Sequence, residues 1–107
     1  MKIQHTVVLR LNDGVDNDQF CASARRLSHI AGVINFEVLR QVGAKSDFTH
    51  ALSMWFDDQS AYDGYLDHPA HLAFVNDVWL PDVAAFLELD YVRLSSALFD
   101  NDGGEPT

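Results

Sequence analysis

Tyr65 and the run His68-Pro69-Ala70-His71 bring a phenol and two imidazoles together within seven residues. These groups move protons near neutral pH, or lend a hydrogen bond to an oxygen that gains charge. Proline is disfavoured inside a helix but welcome at its first position. It also biases the residue before it away from helical dihedrals. The spacing therefore predicts a short helix that carries Tyr65 and ends near Asp67, and a second that starts at about Pro69. His71 then falls in the first turn of the second helix, whose positive end disfavours an imidazolium. A neutral ring there is available as a base.

The elements that must position these groups follow from periodicity. Ile3 to Leu11 alternates, with Ile3, His5, Val7, Leu9 and Leu11 on one face. Asp16 and Gln19 resemble a capping box ahead of a helix whose stripe is Phe20, Ala24, Leu27 and Ala31, and Gly32 stops it. His29 reads as a surface or boundary residue of that helix. Val33 to Val42 and Phe48 to Phe56 read as a hairpin, with His50, Leu52, Met54 and Phe56 sharing a face. Asp57 or Asp58 caps the helix bearing Ala61, Tyr62, Tyr65 and Leu66. The helix after the proline presents Leu72, Val75, Val78 and Trp79 to the core, and a last strand runs from about Leu87 to Leu94. The order β-α-β-β-α-β, with its second helix broken, predicts an α+β, ferredoxin-like split βαβ sandwich.

Residues 1–97 are expected to form one domain and residues 98–107 a disordered acidic tail. A net charge of −9 argues against nucleic acid and against anionic membrane surfaces. No apolar run approaches the roughly 20 residues of a membrane span, and the N-terminus lacks a signal-peptide pattern, so a cytoplasmic location is expected. The single Cys21 reads as a small core or semi-buried residue.

Helices are expected to cover one sheet face. The opposite face carries Gln4, Thr6, Thr49, Ala51, Ser53 and Trp55, with Arg10 its main charge. A bare, weakly polar face of this kind is a surface for a partner. In the split βαβ order the first and third strands are central neighbours, so His5 and His50 are expected to approach one another, with Tyr65 and His71 packed above them. His68 and His71 are also a conceivable metal pair, but one precedes the helix that bears the other, and no cysteine or carboxylate joins them at metal-site spacing. No phosphate-binding glycine loop is present.

The opening Met1-Lys-Ile-Gln-His-Thr-Val-Val-Leu-Arg-Leu-Asn-Asp-Gly14, Phe36-Glu37-Val38, Tyr65-Leu-Asp-His-Pro-Ala-His71, Phe74-Val75 and Leu89-Asp90-Tyr91 resemble the stress-responsive α/β-barrel domain family over roughly residues 1 to 94. The resemblance implies a homodimer in which two sheets pack into a dimeric α+β barrel. In a plant polyketide cyclase of that family, a Tyr and a His of the matching segment are the catalytic pair, and two more histidines lie near the pocket. Carried over, the catalytic pair is Tyr65 and His71, and the ligand-binding pair is His5 and His50. The implied chemistry needs no cofactor and no metal. His71 takes a proton from the carbon beside a carbonyl, Tyr65 donates a hydrogen bond to the oxygen or holds the carbonyl in place, and His5 and His50 orient the ligand or tune His71. Aldol-type cyclisation, isomerisation or decarboxylation of a small aromatic or polyketide-like compound fits an apolar pocket of this kind. The competing expectations are a non-catalytic structural or ligand-binding dimer, and haem- or quinol-type oxidative chemistry as in other dimeric ferredoxin-like barrels.

Overall fold

The computed structural model describes residues 1–94. The expected tail at 98–107 lies outside the described residues.

Four antiparallel strands form a single sheet in the order β2-β3-β1-β4. They are β1 (Ile3–Leu11), β2 (Ile34–Arg40), β3 (His50–Phe56) and β4 (Val83–Tyr91). The two central strands, β1 and β3, are the most buried, as their apolar alternation demands. Helix α1 (Asn17–Arg25) follows β1, and the Asp16 carboxylate accepts its cap hydrogen bond from the Gln19 backbone N–H at 3.0 Å. A 3₁₀ turn at Arg26–His29 extends it and leaves His29 exposed. Gly32 then takes a φ of 93°, a left-handed turn that glycine adopts without steric cost. The fold is the ferredoxin-like α+β arrangement, and the helices pack on one face of the sheet.

The broken helix forms as Pro69 requires. Helix α2 (Gln59–Asp67) is capped by Asp58, and helix α3 (Pro69–Phe74) starts at the proline. His68 is the residue between them, extended at ψ 136°, and its Nδ1 accepts a hydrogen bond from the Ala70 N–H at 3.0 Å. It caps α3 and lies exposed on the surface.

After Phe74 the chain makes a π-helical turn at Val75–Trp79 and a final helical turn at Leu80–Asp82. Leu72, expected inside, is half exposed, while Phe74 and Trp79 pack on the Phe20 ring. The last strand begins at Val83, four residues before the expected Leu87. Its first residues, Val83-Ala84-Ala85-Phe86, carry no polar alternation from which a strand start could be read. The turn before it is pinned from the other side of the sheet end, where the Asn12 backbone N–H donates to the Asp82 carbonyl at 2.8 Å.

Phe20, Phe56, Leu9 and Met54 are the largest fully buried side chains, and they lie between the central strands and the helices. The opposite sheet face bears no helix among the described residues. Gln4, Thr6, Val8, Ala51 and Trp55 on it are half buried, and Arg93 lies over the Trp55 ring at 4.9 Å. Strand β4 adds Leu87, Leu89 and Tyr91 to this face, and β2 adds Leu39. No helix among the described residues is long and apolar enough to cross a membrane.

Candidate functional site

The β1–β4 register builds the site. It sets Asp90 opposite His5, Glu88 opposite Val7 and Phe86 opposite Leu9. Because side chains alternate along a strand, Leu87, Leu89 and Tyr91 face away from the helices, while Phe86 and the two carboxylates face toward them. The polarity of this strand is thus inverted on the helix side, next to a buried histidine.

His5 is 3% exposed. Its Nδ1 lies 2.6 Å from Asp90 Oδ1, and the Tyr62 hydroxyl lies 2.9 Å from the same nitrogen and 3.0 Å from both Asp90 oxygens. A carboxylate only accepts, so a contact of this length requires the proton on Nδ1. His5 Nδ1–H and Tyr62 O–H then both donate to Asp90, and the lone pair of a neutral His5 ring is on Nε2. That nitrogen is 4.0 Å from Glu88 Oε1.

The same argument fixes His71. Its Nδ1 is 3.0 Å from the Leu66 carbonyl oxygen, which also only accepts, so Nδ1 carries the proton and Nε2 holds the lone pair. The break after Asp67 makes this possible, because it leaves the Leu66 carbonyl near the first turn of α3. Tyr65 lies between the two imidazoles, with ring centroids 4.6 Å from His71 and 6.4 Å from His5. Phe56 packs on both Tyr62 and Tyr65 at 5.0 and 5.2 Å and holds the phenols in place.

His5, Tyr65, His71 and Glu88 form one polar wall of a cavity of about 340 Å³. The remaining wall is apolar, with Val7, Leu27, Leu52, Phe74, Trp79 and Phe86 among its residues. This is within the usual size range of small-molecule pockets, and the composition, mostly apolar with a few converging polar groups, is also usual.

Burial lowers the pKa of His71, against the opposing influence of the Leu66 carbonyl and Glu88; the proximity of His5 lowers it further. Its ring is therefore neutral at physiological pH. Burial pushes both phenols up, assisted at Tyr62 by Asp90 and at Tyr65 by Glu88. Both stay protonated and act as donors.

His50 does not join this wall. The register sets it opposite Leu9, whereas His5 faces Met54. Four residues of strand separate the two positions, about 13 Å at the usual rise. The expected approach of His5 and His50 is thus corrected: adjacent strands do not bring together residues at opposite ends of their ladder. His50 instead packs on Phe20 and contacts Thr49 Oγ1 at 2.7 Å. Its pKa is lowered by burial and then by Arg40. Of the four residues singled out by sequence, Tyr65, His71 and His5 share the cavity and His50 does not.

Tyr62, Glu88 and Asp90 escaped the sequence reading. Tyr62 reads as one apolar residue of a helical stripe, and the two acids only alternate with Leu87, Leu89 and Tyr91 along the last strand. The signal was the His5 face of β1, whose edge neighbour must supply it with a partner. Among the described residues, no group of three or more His, Cys, Asp or Glu side chains is arranged to hold a metal ion.

The family model described as Stress responsive A/B Barrel Domain matches residues 3–93. A crystal structure from Mesorhizobium loti, described as a Dabb family protein with a ferredoxin-like fold, is similar at 47% identity and a TM-score of 0.83, covering 88% of this chain and 98% of that one. A dimeric ferredoxin-like protein of unknown function from Thermobifida fusca is 24% identical, with a TM-score of 0.74 and coverage of 87% and 92%. A hydroxynitrile lyase from Passiflora edulis is 19% identical, with a TM-score of 0.76 and coverage of 89% and 96%. At these last two identities the likeness is one of fold. No curated protein matches the chain.

The lowered pKa of His71 makes stability depend on pH with a definite sign. The unfolded chain binds this proton near the ordinary imidazole value of about 6.5, and the folded protein binds it only at lower pH. Stability is therefore fully present above that value and falls as pH drops through it toward the folded value. His50 contributes with the same sign. Urea unfolding between about pH 7.5 and pH 5 should show a shallower loss in His71→Gln than in wild type. Identical slopes would contradict the assignment of His71 as a ring buried neutral.

Proposed function

The chain belongs to the stress-responsive A/B barrel domain family, and from that premise we propose that it is a homodimer whose cavity performs cofactor-free acid–base chemistry on a small, largely apolar carbonyl compound. The observation that carries this reading is the pair of histidines on one cavity wall. Each has its Nδ1 proton committed to an acceptor, and the protonated phenol of Tyr65 lies between them.

In the proposed reaction His71 Nε2 takes the proton from the carbon beside the carbonyl. The Tyr65 hydroxyl donates a hydrogen bond to the carbonyl oxygen as negative charge develops there. His5, held by Asp90 and Tyr62, accepts a hydrogen bond from the ligand at Nε2 and fixes its orientation. The resulting enolate suits aldol-type ring closure or isomerisation, with the imidazolium returning the proton. Proton transfer by a positioned side chain typically contributes about 10²–10⁴-fold. A hydroxynitrile lyase among proteins of this fold supports the frame's suitability for small-molecule chemistry.

The dimer is proposed on the sheet face without helices. Leu39, Leu87, Leu89 and Tyr91 on that face remain 40% to 49% exposed in the single chain. With Val8, Ala51 and Trp55 they form an apolar surface of the kind that is covered by a partner. Pairing two such faces would close a barrel, and the description of the Thermobifida fusca neighbour as dimeric supports a homodimer.

Trp55→Glu is expected to shift the protein toward monomer in light scattering at micromolar concentration, because an unpaired carboxylate in the contact is costly. A wild-type monomer at that concentration would contradict the dimer. For the chemistry, His71→Ala and Tyr65→Phe should each abolish the thermal shift given by a cavity-binding carbonyl compound, or lower its turnover about 10²-fold or more, while the protein stays folded. Destabilised variants, together with a wild type indifferent to every compound screened, would mean that these side chains only hold the helix break together.

A further inference from the structure

We infer that Glu88 is a specificity residue of this cavity, selecting apolar ligands whose polar end donates hydrogen bonds and carries no negative charge. The inference rests on the reading of the cavity as a ligand site and names the class of ligand it takes.

The polar wall has a particular chemistry. With their Nδ1 protons held by Asp90 and the Leu66 carbonyl, the two imidazoles turn Nε2 to the cavity, and Glu88 adds a carboxylate beside one of them, at 4.0 Å from His5 Nε2. Asp90, just beyond, already receives two hydrogen bonds, from His5 and Tyr62. Glu88 has no such partners: apart from this contact with His5, no ion pair engages it among the described residues. Among the described residues, no lysine or arginine lines the cavity.

A carboxylate-bearing ligand would set its charge against that of Glu88 with no cation to offset it. Like charges placed together in this way disfavour binding. A hydroxyl or an ammonium at the same place meets two acceptors, the Glu88 carboxylate and His5 Nε2. The Tyr65 hydroxyl remains the donor for a carbonyl deeper on the same wall. The favoured ligand is therefore an apolar or aromatic body of modest size, with a donor group at one end and no carboxylate.

Three matched probes test this: 2-phenylethanol, 2-phenylethylammonium and phenylacetate, titrated into the full chain and followed by NMR shifts of the Trp79 indole. The alcohol and the ammonium should bind at least about tenfold more tightly than phenylacetate. Glu88→Gln should reduce the advantage of the ammonium over the alcohol. Glu88→Lys should bring phenylacetate to the fore. Glu88 lies on an exposed part of β4, and melting curves of both variants establish that they are folded. If the probes bind in an order that neither substitution changes, or if phenylacetate binds wild type best, the inference about Glu88 is overturned while the cavity reading stands. If none of the three moves the indole signal in wild type, the cavity reading and the inference fall together.

Discussion

The contact of His5 with Asp90 across the β1–β4 ladder is the constraint on which the site depends. A histidine on the core face of a central strand must be paired, since an orphaned buried polar group costs about 1–3 kcal/mol. Asp90 supplies the acceptor from the next strand at 2.6 Å, and Tyr62 closes the set from the helix above. The arrangement ties together the sheet edge, the centre of the sheet and α2. It also fixes the imidazole tautomer, and with it the nitrogen that faces a ligand. A hydrogen bond to a charged acceptor contributes more than a neutral one, about 1.5–3 kcal/mol, so the constraint stabilises the fold as well as orienting the ring.

The helix break plays the corresponding part for His71. An unbroken helix would use the Leu66 carbonyl for the hydrogen bond from residue 70. With Pro69 starting a new helix and His68 held extended, the carbonyl is left to His71 Nδ1. Two unrelated backbone devices, a strand register and a proline break, thus arrive at the same chemical result. Each commits one imidazole nitrogen to the protein and leaves the other uncommitted, with an undissociated phenol between. The apolar wall opposite, led by Phe74, Trp79 and Phe86, gives these few polar groups a low-polarity surrounding in which a proton transfer or a hydrogen bond counts for more than in water.

Much of this was legible in the residues. The first strand, the Asp16 cap, the helix break at Pro69 and the order of elements follow from alternation, capping chemistry and proline geometry, all of which are local. Tyr65, His71 and His5 were legible as a group because each sits on a face that must turn inward. What remained hidden was register. Whether His50 meets His5 depends on which residues of β1 and β3 stand opposite, a property of two strands nearly fifty residues apart, and alternation is blind to sliding by an even number of residues. Glu88 and Asp90 were hidden for a related reason. On an edge strand with apolar and acidic residues alternating, the apolar set is ordinarily assigned inward. Here it faces the open side of the sheet, and the acids face the histidine. The π-helical turn at Val75–Trp79 was also beyond reach, because no marker in composition announces its changed period.

The central claim is that the protein holds His5 and His71 as Nδ1–H tautomers with their Nε2 atoms committed to no protein donor. Long-range proton–nitrogen correlation NMR of the histidine side chains at neutral pH tests it most directly. The account predicts that both rings carry a proton at Nδ1, and that their Nε2 resonances move when a cavity ligand is added. An Nε2–H tautomer at either residue would contradict it.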